Sequence, residues 1–292
     1  MEFARFAHAG GTGIGALVGD GVVPLRGAAS LAELLRLPAA RSREVLLTAA
    51  GSGDGLPLAD VRLLPPVEGR MEVWGAGVTY ERSRDAREEE SAGATCYDAV
   101  YAAERPELFL KAAAWRVRAD GVGAVRPDAT DSVPEPELAL VLSSAGEVVG
   151  LTLCDDLTAR SIEGQNPLYL PQAKVYRGSC VLSPVVVTPD AVEGPVPIRL
   201  AVHRDGQVVL GGETDTGQLH RTLEELADWL FRHQDFPDGA VLTTGTGVVP
   251  PLGEGLRPGD VVEIDGGPLG VLRHRVAGAD ELSLEDDEEE AR

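Results

Sequence analysis

The stretch from Pro134 to Asp156, PEPELALVLSSAGEVVGLTLCDD, constrains the fold more than any other part of the chain. Two apolar runs flank a Ser144-Ala145-Gly146 turn signal, so the segment reads as a β-hairpin with both strands largely buried. Residues two apart on a strand share a face, which sends Glu135 and Glu137 to one side at the start of the first strand. With pairing centred near Ala145, position 135 falls opposite Asp155 or Asp156. The choice depends on a register that pattern alone does not settle. Either way, three carboxylates meet where an apolar hairpin opens, and like charges held together in such a place need a cation. Oxygen donors without His or Cys suit a hard ion: Mg²⁺, or else Mn²⁺ or Ca²⁺. The competing reading is an acidic hairpin end in open solvent.

The rest of the chain places this hairpin in a β-rich α+β protein. GALVGDGVVPL carries a Gly-Asp-Gly turn and reads as a second hairpin. Ser30 with Glu33, and Thr222 with Glu225, form capping boxes that open helices. Asp205-Gly206 is a two-residue turn between strand-like runs. Helical patterns are too few for a doubly wound sheet. The segment ERSRDAREEE (81–90) is a solvated helix or a flap. Pro65-Pro66 marks a linker, which divides the chain into a small N-terminal α/β domain (1–66), a catalytic domain (67–279) and an acidic disordered tail (280–292).

Composition narrows the function. The chain of 292 residues has a net charge of −21, which disfavours nucleic-acid and anionic membrane partners. The last thirteen residues hold a third of that excess. No apolar run is long enough to span a membrane, and MEFARFAHAG is not a signal pattern. Cys96, Cys154 and Cys180 are too few and too scattered for a disulfide framework, so a cytoplasmic location is expected. Of 26 basic residues only Lys111 and Lys174 are lysines. Arginine replaces lysine on surfaces but not where a compact, titratable ammonium is required, so both lysines attract attention. Lys174, in QAK, follows the carboxylates closely and suits a role beside a cation, steadying an enolate oxygen or passing a proton. For Lys111, in PELFLKA, a structural role is the stronger expectation.

In their order along the chain, GVTYERS, PELFLK, PEPEL, GLTLCDDLTAR, QAK, LTTGTGVVPPL and LRPGDVVEIDG resemble the fumarylacetoacetate hydrolase superfamily over about 75–276. The resemblance implies a β-roll or sandwich catalytic domain, a Mg²⁺ site, a homodimer or homotetramer, and a 2-keto or diketo acid substrate. It assigns Glu135, Glu137 and Asp156 as metal ligands, Lys174 as the active-site lysine and Thr246 as a contact to substrate oxygens. Hydrolytic members carry a histidine and a glutamate that activate water. Here Ser83 stands at the histidine position and Ala86 at the glutamate position, and serine is a poor base at neutral pH.

The stretches YERSR, RPELFLKA and SIEGQNPLYLPQAKVY are similar to a narrower branch, the 2-keto-3-deoxy-D-arabinonate dehydratases. That branch implies loss of water through a metal-stabilised enolate to give 2,5-dioxopentanoate, with Glu107 as acid or base and Ser83 and Arg84 as substrate contacts. The alternatives are an acylpyruvate hydrolase, an enol–keto isomerase or a decarboxylase, and, in another class, a non-catalytic keto-acid binder.

Overall fold

The computed structural model describes residues 1–53, 55–90, 96–118 and 121–283, apart from the side chains of 86–90, 96 and 97. The chain opens with β1 (Glu2–His8), β2 (Gly11–Val18) and β3 (Gly21–Pro24), an antiparallel meander whose second turn is the expected Gly19-Asp20. Ser30 caps α1 (Leu31–Leu35): its hydroxyl accepts the Glu33 amide at 3.2 Å, and the Glu33 carboxylate accepts the Ala29 amide at 2.8 Å. Helix α2 (Ala39–Ala50) and the short strands β4 (Leu56–Pro57) and β5 (Arg62–Leu64) follow.

Next come β6 (Glu72–Gly77), α3 (Glu81–Glu90), α4 (Cys96–Ala102), β7 (Glu107–Ala113) and β8 (Gly123–Val125). The charged segment 81–90 is thus a helix. The central hairpin is β9 (Pro136–Leu142) and β10 (Val148–Asp156). Helices α5 (Arg160–Glu163) and α6 (Leu170–Lys174) lead to β11 (Cys180–Leu182) and β12 (Val185–Val187). The remaining elements are β13 (Pro197–Arg204), β14 (Gln207–Asp215), α7 (Leu223–Phe231), β15 (Ala240–Thr243), β16 (Val261–Asp265) and β17 (Val271–Gly278). Thr222 caps α7 as its sequence predicts, accepting from the Glu225 amide.

Among the described residues twelve strands form one sheet, in the order β4-β3-β2-β1-β12-β10-β9-β15-β6-β7, with β5 on β1 and β11 on β10. Five form a second, β14-β13-β16-β17-β8. The N-terminal segment is not a separate layer: β1 pairs with β12, so its meander extends the large sheet. Phe3, Leu34, Leu35 and Leu46 share a core with Ala139 and Val141 of β9. At the other boundary Leu282 is buried, and its carbonyl and that of Ser283 accept from Arg177 and Arg118. Residues 280–283 therefore pack on the body. The rest of the expected tail, 284–292, lies outside the described residues. No helix among the described residues is long and apolar enough to cross a membrane.

Strand β9 lies in the middle of the large sheet and every residue of it is buried. Leu138, Leu140 and Leu142 point into the core between the sheets, against Ile198, Leu200, Val262 and Ile264. Ala139 and Val141 point to the opposite core under α1 and α2. Both faces are apolar because both are covered, which explains why the run does not alternate in polarity. Burial of one such leucine stabilises by roughly 1.5–3 kcal/mol.

Strand β10 carries a bulge. Val148 pairs with Leu142, but Gly150 pairs with Val141, and from there the ladder runs regularly to Cys154–Glu137 and Asp155–Pro136. The extra residue, Val149, reverses the facing of everything after it. Val149 shares the α2-side core with Cys154, whereas Leu151 and Leu153 face the core between the sheets.

Candidate active site and metal centre

The bulge decides which aspartate joins the glutamates. Asp156 lies opposite Glu135, and its amide donates to the Glu135 carbonyl at 2.9 Å. One carboxylate oxygen from each of Glu135, Glu137 and Asp156 lies within 4.8 Å of the others, and all three residues are buried. Asp155 faces the other way. It accepts from the Glu135 amide at 3.0 Å and meets His274 Nε2 of β17 at 2.7 Å. The other imidazole nitrogen of His274 faces the Arg275 carbonyl at 3.1 Å. The contact between Asp155 and His274 ties the hairpin end to the second sheet.

Three buried cations surround the triad. Lys174, at the end of α6, donates to Glu135 Oε2 at 2.6 Å, Asp156 Oδ2 at 3.0 Å and Thr158 Oγ1 at 2.7 Å. Arg160, at the start of α5, donates to Glu135 Oε1 at 2.9 Å. Lys111, on β7, is wholly buried. It pairs with Asp156 and donates to the carbonyls of Leu157 at 3.1 Å and Lys174 at 2.7 Å. These contacts accord with the structural role expected for Lys111, and both lysines of the chain sit on one aspartate. Their rarity was the sequence signal. Arg160 and His274 carried none, because arginine is common here and the β17 histidine is remote in sequence.

Glu137 differs from its neighbours. Its Oε2 accepts the Gly245 amide at 2.8 Å, and among the described residues no cation forms an ion pair with it. Burial, followed by the charge of Asp156, pushes its carboxyl up to about 8, against the pull of Lys174. The cluster lacks positive charge on the Glu137 side. The adjoining pocket of about 20 Å³, walled in part by Glu135, Glu137 and Lys174, has room for one water-sized occupant. Oxygen donors, burial and a carboxyl that resists ionisation together fit a hard divalent cation.

The loops around the triad complete the pocket. Gly245 adopts φ +86°, and a side chain there would collide with Thr79 Oγ1, which donates to the Thr244 carbonyl at 2.6 Å. Thr246 lines the pocket, but its hydroxyl donates to the Val248 carbonyl at 3.2 Å and accepts from the Val248 amide. Glu107 and Phe109 pair with Gly77 and Gly75 across β6 and β7, and their side chains lie over these glycines. A Cβ at Gly77 would stand 2.1 Å from Glu107 Oε2, so only glycine lets that carboxylate lie across the strand into the pocket. Phe109 places its ring centroid 5.3 Å from Lys174 Nζ. Val78 takes φ +53°, a costly conformation for a β-branched residue, as β6 turns towards α3. That turn brings Ser83 into the pocket wall, buried.

Arg84 differs from its expected placing. Its guanidinium binds Asp85 at 2.6 Å and Glu81 at 3.3 Å, and lies over the Tyr101 ring at 4.9 Å, so it joins α3 to α4 and does not line the pocket. It is exposed enough on this helix for local acids to capture it. Glu163, at the end of α5, is buried and lines the pocket, although the sequence reading passed over it. The side chain of Ala86 lies outside the described residues.

The chain has clear relatives. The fumarylacetoacetate (FAA) hydrolase C-terminal family matches residues 72–277, and the Rv2993c-like N-terminal family matches residues 1–66. The 2-dehydro-3-deoxy-D-arabinonate dehydratase of Saccharolobus solfataricus is 43% identical over 220 residues, 73% of this chain and 74% of that protein. A probable 2-keto-3-deoxyxylonate dehydratase of Haloferax volcanii is 46% identical over 209 residues, 70% and 72% of the two chains. A solved structure of 2-keto-3-deoxy-D-arabinonate dehydratase complexed with magnesium and 2,5-dioxopentanoate superposes with a TM-score of 0.80 at 34% identity, covering 95% of this chain and 99% of the other. The family match spans more than half of the chain and its relatives agree with it: the chain belongs to the fumarylacetoacetate hydrolase family.

Proposed function

We propose that this protein is a Mg²⁺-dependent hydro-lyase that removes water from a 2-keto-3-deoxy sugar acid, such as 2-keto-3-deoxy-D-arabinonate, to give 2,5-dioxopentanoate. The observation that carries this reading is the buried Glu135–Glu137–Asp156 triad with Glu107 reaching over the same pocket. Dehydratases are its relatives at 43% and 46% identity. Mg²⁺ held by the triad would act as a Lewis acid on the 1-carboxylate and 2-oxo group and so acidify C3.

The chain's own groups do the rest. Glu107 takes the C3 proton or returns one to the departing C4 hydroxyl, and the resulting C3–C4 alkene reaches 2,5-dioxopentanoate when a proton moves from C5 to C3 and the C4–C5 enol tautomerises to the aldehyde. Lys174 and Arg160 hold Glu135 and Asp156 in place through their ion pairs, and the Lys174 ammonium offsets negative charge that grows at the 2-oxo oxygen. Ser83 and Thr246 border the substrate space; the Thr246 hydroxyl would have to turn from Val248 to reach a substrate oxygen. No attacking water is required. The described residues that line the pocket include no histidine to activate one, which disfavours C–C hydrolysis. Isomerisation uses the same early proton transfer and is the second reading.

The experiment is incubation of the purified full chain with 2-keto-3-deoxy-D-arabinonate and Mg²⁺, following 2,5-dioxopentanoate by NMR. Product should form, stop with EDTA and return with Mg²⁺. Absence of turnover of any 2-keto-3-deoxy acid in the metal-loaded protein overturns the proposal. Gly77→Ala supplies a positional check. Its methyl group must displace the Glu107 carboxylate, so kcat should fall about 10²-fold. The melting temperature should hardly move, because the displaced atoms end a flexible side chain. A cytoplasmic, homo-oligomeric enzyme fits this reading: Cys154 and Cys180 are free thiols, and Val208, Leu252 and Val271 expose apolar surface.

A further inference from the structure

Beyond the metal-side pocket lies a second cavity of about 340 Å³, and Glu107, Glu163 and Leu170 line both. Glu163 is also tied to the metal centre from behind. It stands three residues after Arg160 on the single turn of α5, so the two side chains share a face. Arg160 Nε lies 3.9 Å from Glu163 Oε2, and another nitrogen of the same guanidinium donates to Glu135 Oε1 at 2.9 Å. Both Arg160 and Glu163 are buried. From Glu135 the ion pairs continue to Lys174 at 2.6 Å, from Lys174 to Asp156 at 3.0 Å, and from Asp156 to Lys111. Acid and base thus alternate from the cavity wall to β7, along Glu163, Arg160, Glu135, Lys174, Asp156 and Lys111. Two of these acids, Glu135 and Asp156, belong to the triad.

We infer that Glu163 is a positioning residue that acts on the metal centre through Arg160 and so sets how tightly the triad holds its divalent cation. This rests on the proposed function for the cation itself. A buried guanidinium shared between two carboxylates draws less on each than one that serves a single carboxylate. With Glu163 in place, Arg160 steadies Glu135 and still leaves that ligand available to a cation. Without Glu163, the whole guanidinium charge falls on Glu135 and competes with the cation for it. Burial keeps the effect strong, because such pairs are little screened by solvent or salt. Glu163 also borders the outer cavity, so a ligand group that engages it there reaches the cation through the same pair, and such coupling is reciprocal.

The test is isothermal titration of the metal-free full chain with Mg²⁺. Glu163→Gln keeps the shape of the side chain and removes the acid, and Mg²⁺ affinity should fall by about tenfold. Glu163→Ala should act in the same direction and serves if the glutamine variant does not fold. Glu163→Asp keeps the acid and should recover the native affinity to within about threefold. In the Arg160→Gln background, Glu163→Gln should change the affinity by no more than about twofold, because the connecting base is gone. In turnover, the half-saturating Mg²⁺ concentration of Glu163→Gln should rise by the same factor as the affinity falls, a shift that a general loss of stability does not produce. Native Mg²⁺ affinity in a folded Glu163→Gln or Glu163→Ala variant, or an equal loss with and without Arg160, overturns the inference alone. A native chain that binds no Mg²⁺ overturns it together with the proposed function. The expected affinity changes without turnover of any 2-keto-3-deoxy acid overturn only the proposed reaction.

Discussion

Glu137→Gln should cut kcat/KM by about 10³-fold and, at the same time, raise the melting temperature of the metal-free protein. The two effects have opposite signs because the residue serves the cation and not the fold. Burial and the Asp156 charge raise its carboxyl from 4.5 to about 8. A raised value means that the folded chain prefers the protonated acid. The contribution to stability is full below 4.5 and is lost as pH rises towards 8. Near pH 8 the metal-free protein therefore carries a penalty on the order of a few kcal/mol, since one pKa unit is about 1.4 kcal/mol. Glutamine keeps the acceptor for the Gly245 amide and removes the penalty. It also removes a ligand, and the loss of several kcal/mol of charge stabilisation lowers kcat/KM by about 10³-fold.

The same linkage predicts how Mg²⁺ stabilises the native chain. Binding requires ionised Glu137, so each pH unit below about 8 should weaken the apparent affinity by about tenfold. The rise in melting temperature on adding Mg²⁺ should accordingly be larger at pH 8 than at pH 6. Thermal melts with EDTA or Mg²⁺ at the two pH values, for the native chain and the variant, check both signs. A destabilised metal-free variant with an undiminished response to Mg²⁺ would remove Glu137 from the ligand set.

Lys111→Met should have the largest effect on stability of any single substitution in the site. The ammonium is wholly buried and serves Asp156 and two backbone carbonyls. Methionine conserves the stem and its packing but leaves a buried aspartate and two carbonyls short of a donor. Breaking a buried pair in this way costs about 3–5 kcal/mol. For a chain of this size that lowers the melting temperature by about 10 °C. Mg²⁺ should restore part of the loss, because it returns positive charge to the same cluster. Lys111→Arg should not rescue: the guanidinium is larger and planar, and Lys111 and Asp156 are both wholly buried. The exposed Arg41–Glu44 pair is the contrast, and its removal should change stability by under about 1 kcal/mol. Calorimetry with and without Mg²⁺ distinguishes these outcomes; a melting temperature within a few degrees of the native value would show that Lys111 is not needed to balance the aspartate.

Much of this was legible in the chain. The two helix caps, the two glycine-containing hairpin turns and the alternation Glu135–Glu137 are local: each depends on residues within a few positions, where backbone sterics and side-chain reach dominate. A central hairpin with carboxylates at its open end follows from pattern alone, and so does the need for a hard cation. What pattern did not show was which partner each of several side chains takes. Arg84 was captured by neighbouring acids on its own helix pair, and residues 280–283 packed on the body through Leu282, Arg118 and Arg177. The N-terminal segment has self-contained turns and caps, and its strand β1 also joins the large sheet through β12.

The sequence by itself determined that Glu135 and Glu137 share a face, that one of two adjacent aspartates joins them, and that a lysine is reserved for the cluster. Tertiary structure decided the rest. A single-residue bulge at Val149 turned Asp156 towards the glutamates and Asp155 towards His274, since one extra residue in a strand exchanges its two faces. Pairing of β6 with β7 then laid Glu107 across Gly77 and drove Lys111 beneath Asp156. Strand register is a sum of weak contacts over a whole sheet, and no local pattern encodes that sum.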